Sequence, residues 1–308
     1  MKNQSRRDFI RNTAVLGAAA AAGSSAGAAM LETPENSLTD ERMGVLVDTA
    51  VCIGCRNCEW ACKAAHDIDP GDLEDYADRS VYKEFRRPHP KGYTVINEFP
   101  NPKNELLPID VKYQCMHCDH PACVSACIVG AFEKMKSGEV IWNTEKCIGC
   151  RYCMVACPFQ IPTFEFSKAW MPNITKCDFC HERRMEGKIP ACVGICPVET
   201  MTFGKREDII RLAHERIASK PDVYIDHVFG EHEVGGTAWV YIAPKDFHQL
   251  GYPKLNEKPA PGVSESIQHG IFAYFVPPVA LYSLLGALMW MTKKRADAKQ
   301  EEDDDYGA

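Results

Sequence analysis

The chain has 308 residues, of which 45% are hydrophobic and 25% charged, and a formal net charge of −7. That length suits about two domains of ~100–200 residues, and the composition excludes a wholly disordered chain and a polytopic membrane protein. The acidic balance argues against a nucleic-acid partner, and 16 cysteines leave the decision to their spacing.

Residues 1–28 read as an export signal. Arg6-Arg7-Asp8-Phe9 supplies a basic start of the twin-arginine type, a small apolar run follows from Ala14 to Ala22, and Ala26-Gly27-Ala28 offers a cleavage site. A linker over 29–44 leads to the first cysteine quartet, Cys52-x2-Cys55-x2-Cys58-x3-Cys62. Residues 63–114 form a polar, Pro-rich insertion whose best strands are Val95-Ile96 and Val111-Lys112-Tyr113. Without a core of its own, it is expected to be a surface excursion that could serve for docking.

The second quartet is Cys115-x2-Cys118-x4-Cys123-x3-Cys127, and the third is Cys147-x2-Cys150-x2-Cys153-x3-Cys157-Pro158. The fourth is Cys177-x2-Cys180, then eleven residues, then Cys192-x3-Cys196-Pro197. Glu207 to Ile217 carries apolar residues at helical spacing (Ile209, Ile210, Ala213, Ile217), and Trp239-Val-Tyr-Ile242 reads as a strand. Gly270 to Met291 is an uncharged run of 22 residues, long enough to span the ~30 Å hydrocarbon core. Lys293-Lys294-Arg295 follow it and would stay cytoplasmic, which puts the cysteine-rich body on the periplasmic side.

C-x2-C-x2-C-x3-C is the bacterial ferredoxin run that binds [4Fe–4S] clusters. Three thiolates on a tight loop reach three irons of one cube. The fourth thiol lies about one helical turn on, points away, and ligates a partner cluster. Structural zinc prefers two C-x2-C pairs, which only the fourth quartet resembles. Disulfides suit exported proteins, but a cysteine every third residue is not a disulfide framework, and a twin-arginine substrate crosses the membrane already folded. A [3Fe–4S] centre would leave a ligand missing, and no quartet lacks one. Quartets one and three share Cys-Ile-Gly-Cys-Arg-x-Cys-x-x-Ala-Cys; two and four share Pro-Ala-Cys-Val-x-x-Cys. Four sites of two types imply two dicluster units. The spacing fits a pairing of one with two and three with four as well as one with four and two with three.

With these motifs the chain resembles the four-cluster ferredoxin-like subunits of membrane-bound periplasmic oxidoreductases, related to the beta subunits of formate dehydrogenase and dimethyl-sulfoxide reductase. The likeness covers roughly residues 45–290. The twin-arginine leader, the C-terminal span and Ser-Glu-Ser-Ile-Gln-His269 resemble most the HybA-type subunit of uptake [NiFe] hydrogenases. Gly235-Gly236-Thr237-Ala-Trp-Val-Tyr and Phe203-Gly-Lys-Arg-Glu-Asp are shared with the formate dehydrogenase type. The resemblance implies that quartets one and four form one unit and quartets two and three the other. Cluster 1 would then take Cys52, Cys55, Cys58 and Cys196, and cluster 2 Cys115, Cys118, Cys123 and Cys157. Cluster 3 would take Cys147, Cys150, Cys153 and Cys127, and cluster 4 Cys177, Cys180, Cys192 and Cys62. Lys63 and Ile128 stand where simple ferredoxins carry proline after the last cysteine, which alters the adjoining loop and not the ligand count.

The expected architecture is α+β: two interleaved dicluster ferredoxin-like units over 45–235, a strand and connector over 236–266, one transmembrane helix over 267–292 and a cytoplasmic tail over 293–308. His117, His120 and His181 lie inside quartets that already have four thiols, so they are expected to tune the surroundings of sulfur or face solvent. His269 would sit at the outer membrane boundary, as an interfacial residue or against a haem or quinone site. No nucleophilic triad, Walker motif or dinucleotide fingerprint is present. The expected function is electron transfer between a periplasmic catalytic subunit, a [NiFe] hydrogenase first, and an integral membrane quinone-reactive or cytochrome b-type subunit. The alternatives are the same subunit of a formate dehydrogenase or other molybdenum or tungsten enzyme, and a zinc-bound scaffold.

Overall fold

In chain order the strands are β1 (Met43–Asp48), β2 (Val95–Phe99), β3 (Ile109–Tyr113), β4 (Phe132–Lys134), β5 (Val140–Trp142), β6 (Thr163–Phe164), β7 (Ile174–Thr175), β8 (Met201–Lys205) and β9 (Trp239–Ile242). The helices are α1 (Asn57–Ala64), α2 (Ala122–Ser125), α3 (Tyr152–Ala156), α4 (His181–Met185), α5 (Ala191–Gly194) and α6 (Arg206–Ser219). They come from a computed structural model, which describes residues 41–101, 104, 107–166, 174–261 and 281–294. The mixture agrees with the α+β expectation.

β1 is the middle strand of a three-stranded sheet, antiparallel to β8 and parallel to β9. Both of its faces are covered, so Val45, Leu46 and Val47 form an unbroken apolar run, as a fully buried strand should; Asp48 at its end is buried against Tyr224 and Arg216. Leu46 points with Val240 and Ile242 towards α6, which answers with Ile209, Ala213 and Ile217. Those three are the buried members of the apolar stripe read from sequence; Ile210 is only partly covered. Val45, Val47, Trp239 and Tyr241 turn the other way, into a core that contains Cys58, Cys115, Cys177 and Cys192. A smaller core around Phe132, Val140 and Ile174 encloses Cys123 and Cys153.

The insertion over 63–114 departs from the expectation of a surface excursion. Its strands pair as a hairpin, Val95 opposite Tyr113 and Ile96 opposite Lys112. Val95, Ile96, Ile109 and Val111 are buried in the main core. The insertion therefore supplies core to the ferredoxin body, while its short 3₁₀ turns at Leu73–Ala77 and Arg79–Lys83 stay largely exposed.

Residues 281–294 are helical with exposed side chains. Among the described residues no helix is long and apolar enough to cross a membrane. The expected leader over 1–28, the first part of the expected span, and His269 lie outside the described residues.

Candidate metal centre

The sequence repeat reappears in the backbone. Gly54 and Gly149 both have positive φ, at 64° and 69°, and Arg56 and Arg151 both have φ of 62°. These left-handed steps wind the chain tightly enough for two loop cysteines and a third on the first turn of α1 or α3 to face one point. At Gly54 a Cβ would also meet the Asp110 carboxylate at 2.5 Å. In the longer second and fourth loops the left-handed steps fall at His117, and at Phe179 and Cys180.

All sixteen cysteines are free thiols. α1 of the first quartet packs on α5 of the fourth, and α2 of the second packs on α3 of the third. Cys52, Cys55, Cys58 and Cys196 line one cavity with Lys112, Thr200 and Met201. Cys118 has Cys157, Cys115 and Cys123 as neighbours that oppose its ionisation. Around Cys153 the same part is played by Cys147, Cys150 and Cys127. Cys62 lies beside Cys192 and Cys177, and Cys192 beside Cys180. Each group of four thus draws its fourth thiol from a different quartet. The quartet most like a zinc site is split, because Cys196 lies with Cys52 and not with Cys192.

The groups adjoin one another. Cys58 is close to Cys192, Cys177 to Cys115, and Cys123 to Cys153. The sets containing Cys52, Cys177, Cys118 and Cys150 therefore follow one another in that order. Cys150, at one end of the series, is exposed.

Burial pushes the thiol of Cys52 up to about 12, with those of Cys153 and Cys180 alike, and that of Cys157 to about 11. Metal-free thiols of this kind are neutral at neutral pH, so iron must displace their protons to bind. Backbone amides compensate the sulfur that results. Ala131 N–H donates to Cys127 Sγ at 3.1 Å and Phe179 N–H to Cys177 Sγ at 3.4 Å. Four converging thiols with N–H donors and apolar walls fit a [4Fe–4S] cube.

His117 is wholly buried; its Nδ1 accepts from Val140 N–H at 2.9 Å. Burial, then Lys176, Lys134 and Arg184, hold its pKa well below the usual value, so it is neutral. His181 Nδ1 lies 2.7 Å from Glu139 Oε1, and His120 packs against Gly235.

Two residues escaped the sequence reading. His66, one helical turn after Cys62, bonds through Nδ1 to the Cys62 carbonyl at 2.6 Å and through Nε2 to Asp178 at 2.8 Å. Despite burial, Asp178 and Cys62 hold its pKa up to about 12, leaving a cation beside the sulfur. Its position at i+4 from a cysteine was the available signal. Lys112 is 2% exposed; Nζ donates to Thr94 Oγ1 at 2.6 Å and Gln114 Oε1 at 2.9 Å, and stands 4.6 Å from the Trp239 ring centre. Burial opposes its charge, yet Cys192, Cys58 and Tyr241 hold its pKa above the usual lysine value.

Comparison with known proteins agrees with this chemistry. The family described as "4Fe-4S dicluster domain" matches residues 109–206. A protein of Nitratidesulfovibrio vulgaris is 48% identical over 219 residues, covering 71% of this chain and 59% of that one. The hydrogenase-2 operon protein HybA of Escherichia coli O157:H7 is 30% identical over 275 residues, 80% of this chain and 84% of the relative. The iron-sulfur subunit of the nitrate-inducible formate dehydrogenase of Escherichia coli K12 is 32% identical over 235 residues, 72% of this chain and 74% of the relative. The chain belongs to the family of [4Fe–4S] iron–sulfur electron-transfer subunits of oxidoreductases.

Proposed function

We propose that the chain holds four [4Fe–4S] clusters and carries electrons between a periplasmic catalytic subunit and a quinone-reactive partner in the membrane. The observation that carries this is the set of four thiol groups, each completed by a cysteine of another quartet and each adjoining the next. In this reading Cys52, Cys55, Cys58 and Cys196 hold cluster 1, and Cys115, Cys118, Cys123 and Cys157 hold cluster 2. Cys147, Cys150, Cys153 and Cys127 hold cluster 3, and Cys177, Cys180, Cys192 and Cys62 hold cluster 4. Each cluster, when bound, takes up and releases one electron at a time, with a potential within about −700 to +450 mV.

The protein's own part is to fix the thiolates, exclude water and set the local charge. Apolar walls from Trp239, Met116 and Phe179 keep the inner groups dry. The exposed Cys150 suits the end of the series at which electrons enter or leave the chain. The domain boundaries support the reading: a twin-arginine leader over 1–28, a body over 45–235, and an anchor over 267–292 that would hold the body against the bilayer where quinones reside.

Hydrogen is the favoured donor, through a [NiFe] hydrogenase, because the alignment with HybA extends over 80% of this chain. Formate is the second reading, favoured by the 32% identity to a formate dehydrogenase iron-sulfur subunit. Co-purification of the catalytic subunit with the tagged full-length chain separates the two. The cluster count is tested by metal analysis of anaerobically purified protein. About 16 iron and about 16 labile sulfide per chain are expected; bound zinc with less than half that iron would overturn the reading.

A further inference from the structure

We propose that Lys112 is the shared counter-charge of the first and fourth thiol sets, a positioning residue that raises the reduction potentials of the clusters held there without touching iron. The proposal rests on the ligand sets given above.

Lys112 is buried in β3, and its partners are all neutral: the Thr94 hydroxyl, the Gln114 side-chain carbonyl and the face of Trp239. Among the described residues no carboxylate forms an ion pair with it. A buried charge with only neutral partners is strongly disfavoured unless an opposite charge lies close by. The other buried lysines have a structural account. Lys134 faces Asp119 at 3.6 Å and donates to the carbonyls of His117, Cys118 and Gly138. Lys176 donates to the carbonyls of Val140 and Cys177. Among the described residues Lys112 donates to no backbone carbonyl.

The missing negative charge is supplied by the thiol sets. Lys112 lines the same cavity as Cys52, Cys55, Cys58 and Cys196, and it neighbours Cys192 and Cys177 of the adjoining set. Four thiolates around a [4Fe–4S]²⁺ core carry a net charge of −2, and uptake of one electron makes it −3. A fixed cation attracts the reduced form more strongly, so the equilibrium shifts towards reduction with no proton taken up. The charge sits between two sets, so both couples respond. The other two sets, further along the series, do not.

The test is a redox titration of the full-length chain in its membrane complex, followed by the electron paramagnetic resonance of each cluster. Lys112→Met, neutral and of similar length, is expected to lower the reduced-to-oxidised ratio of two couples by about tenfold or more at a fixed potential. That corresponds to about 59 mV per tenfold for a one-electron couple. The remaining two couples stay at their wild-type potentials, and Lys112→Arg restores the shifted pair to within about threefold. Lys112→Met with full iron content and unmoved potentials, or with all four couples moved alike, overturns the proposal. If Lys112→Met fails to load iron, Thr94→Asp decides. It keeps the lysine and its hydrogen bond but cancels the charge, and must lower the same two couples; unmoved couples in a loaded Thr94→Asp protein overturn the proposal. Wild-type protein with too little iron for four clusters would instead overturn the ligand sets, leaving a distinct signature.

Discussion

Arg86 grips the Glu59 carboxylate through two parallel hydrogen bonds, Nη1 to Oε1 and Nη2 to Oε2, each 2.8 Å long. Glu59 follows Cys58 directly, is 3% exposed, and accepts the Ile96 amide of β2 at 2.7 Å as well. One carboxylate therefore joins the first cysteine helix to the insertion at two places. The hairpin is held in the core by this charge as well as by its apolar residues.

Replacing Arg86 with Ala should destabilise the protein by about 3 kcal/mol, the low end for leaving a buried charge without its partner. Arg56 Nε, 3.5 Å from Glu59, moderates the loss. Arg86→Lys should recover only part of it, since an ammonium cannot reproduce the two-pronged contact. Thermal unfolding under anaerobic conditions measures both; an Arg86→Ala protein as stable as the wild type would show that the contact has no net worth.

A pH dependence follows from His227, whose Nε2 lies 2.7 Å from Glu233 Oε1. The Glu233 bond raises its pKa above the usual histidine value, against the effect of burial. A pKa raised on folding adds stability that is complete below the unfolded value of about 6.5. That stability fades as pH rises through the raised folded value. His227→Gln should thus cost stability at pH 6 and progressively less above neutrality. A wild-type advantage that instead grows with pH would mean that the Glu233 contact does not raise the pKa of His227.

Cys127 completes the set containing the exposed Cys150. Cys127→Ser should leave dye-coupled oxidation of the donor by the catalytic subunit intact in membranes while donor-to-quinone transfer collapses. Quinone reduction at the wild-type rate, with the signal of that one cluster absent, would mean that electrons bypass it.

The export and anchoring proposed for the two ends are expected to be separable. Changing Arg6 and Arg7 to Lys should leave the chain in the cytoplasm. Truncation after Gln268 should preserve export and release the body from the membrane. A truncated chain that still resists carbonate extraction without its partners would place the anchor elsewhere.

The cysteines were legible because their spacing is fixed by the size of what they hold. The helix at Arg206–Ser219 and the strand at Trp239–Ile242 were legible because apolar period reports burial; of the hairpin only the two short strands were, not their pairing or their place in the core. The pairing of quartets was not, since spacing says nothing about which distant segment comes alongside; the contacts of α1 with α5 and α2 with α3 do. β3 misleads in a particular way. Ile-Asp-Val-Lys-Tyr alternates like a strand with one wet face, yet Asp110 and Lys112 are each 2% exposed. Lys112 faces the cysteine-lined cavity and Asp110 the turn at Gly54 in the first cysteine loop, not water. An alternation rule fails where a strand borders a site that needs charge, and that failure points to the site.

The middle position of β1 bears on how the protein is made. The strand emerges early from the ribosome, but its neighbours are β8 and β9, and its last parallel partner is Ile242. The thiol groups obey the same calendar. The two inner quartets close their sets once Cys153 and Cys157 have been synthesised, whereas the sets that use Cys62 and Cys52 wait for Cys192 and Cys196. The first cysteines to leave the ribosome are thus among the last to find their full company. Over that interval Cys52, Cys55 and Cys58 stand on an unfinished sheet, open to oxidation. That set cannot be completed before Cys196 is made, and a chain cut short before Cys196 would have three thiols there and nothing to close the set.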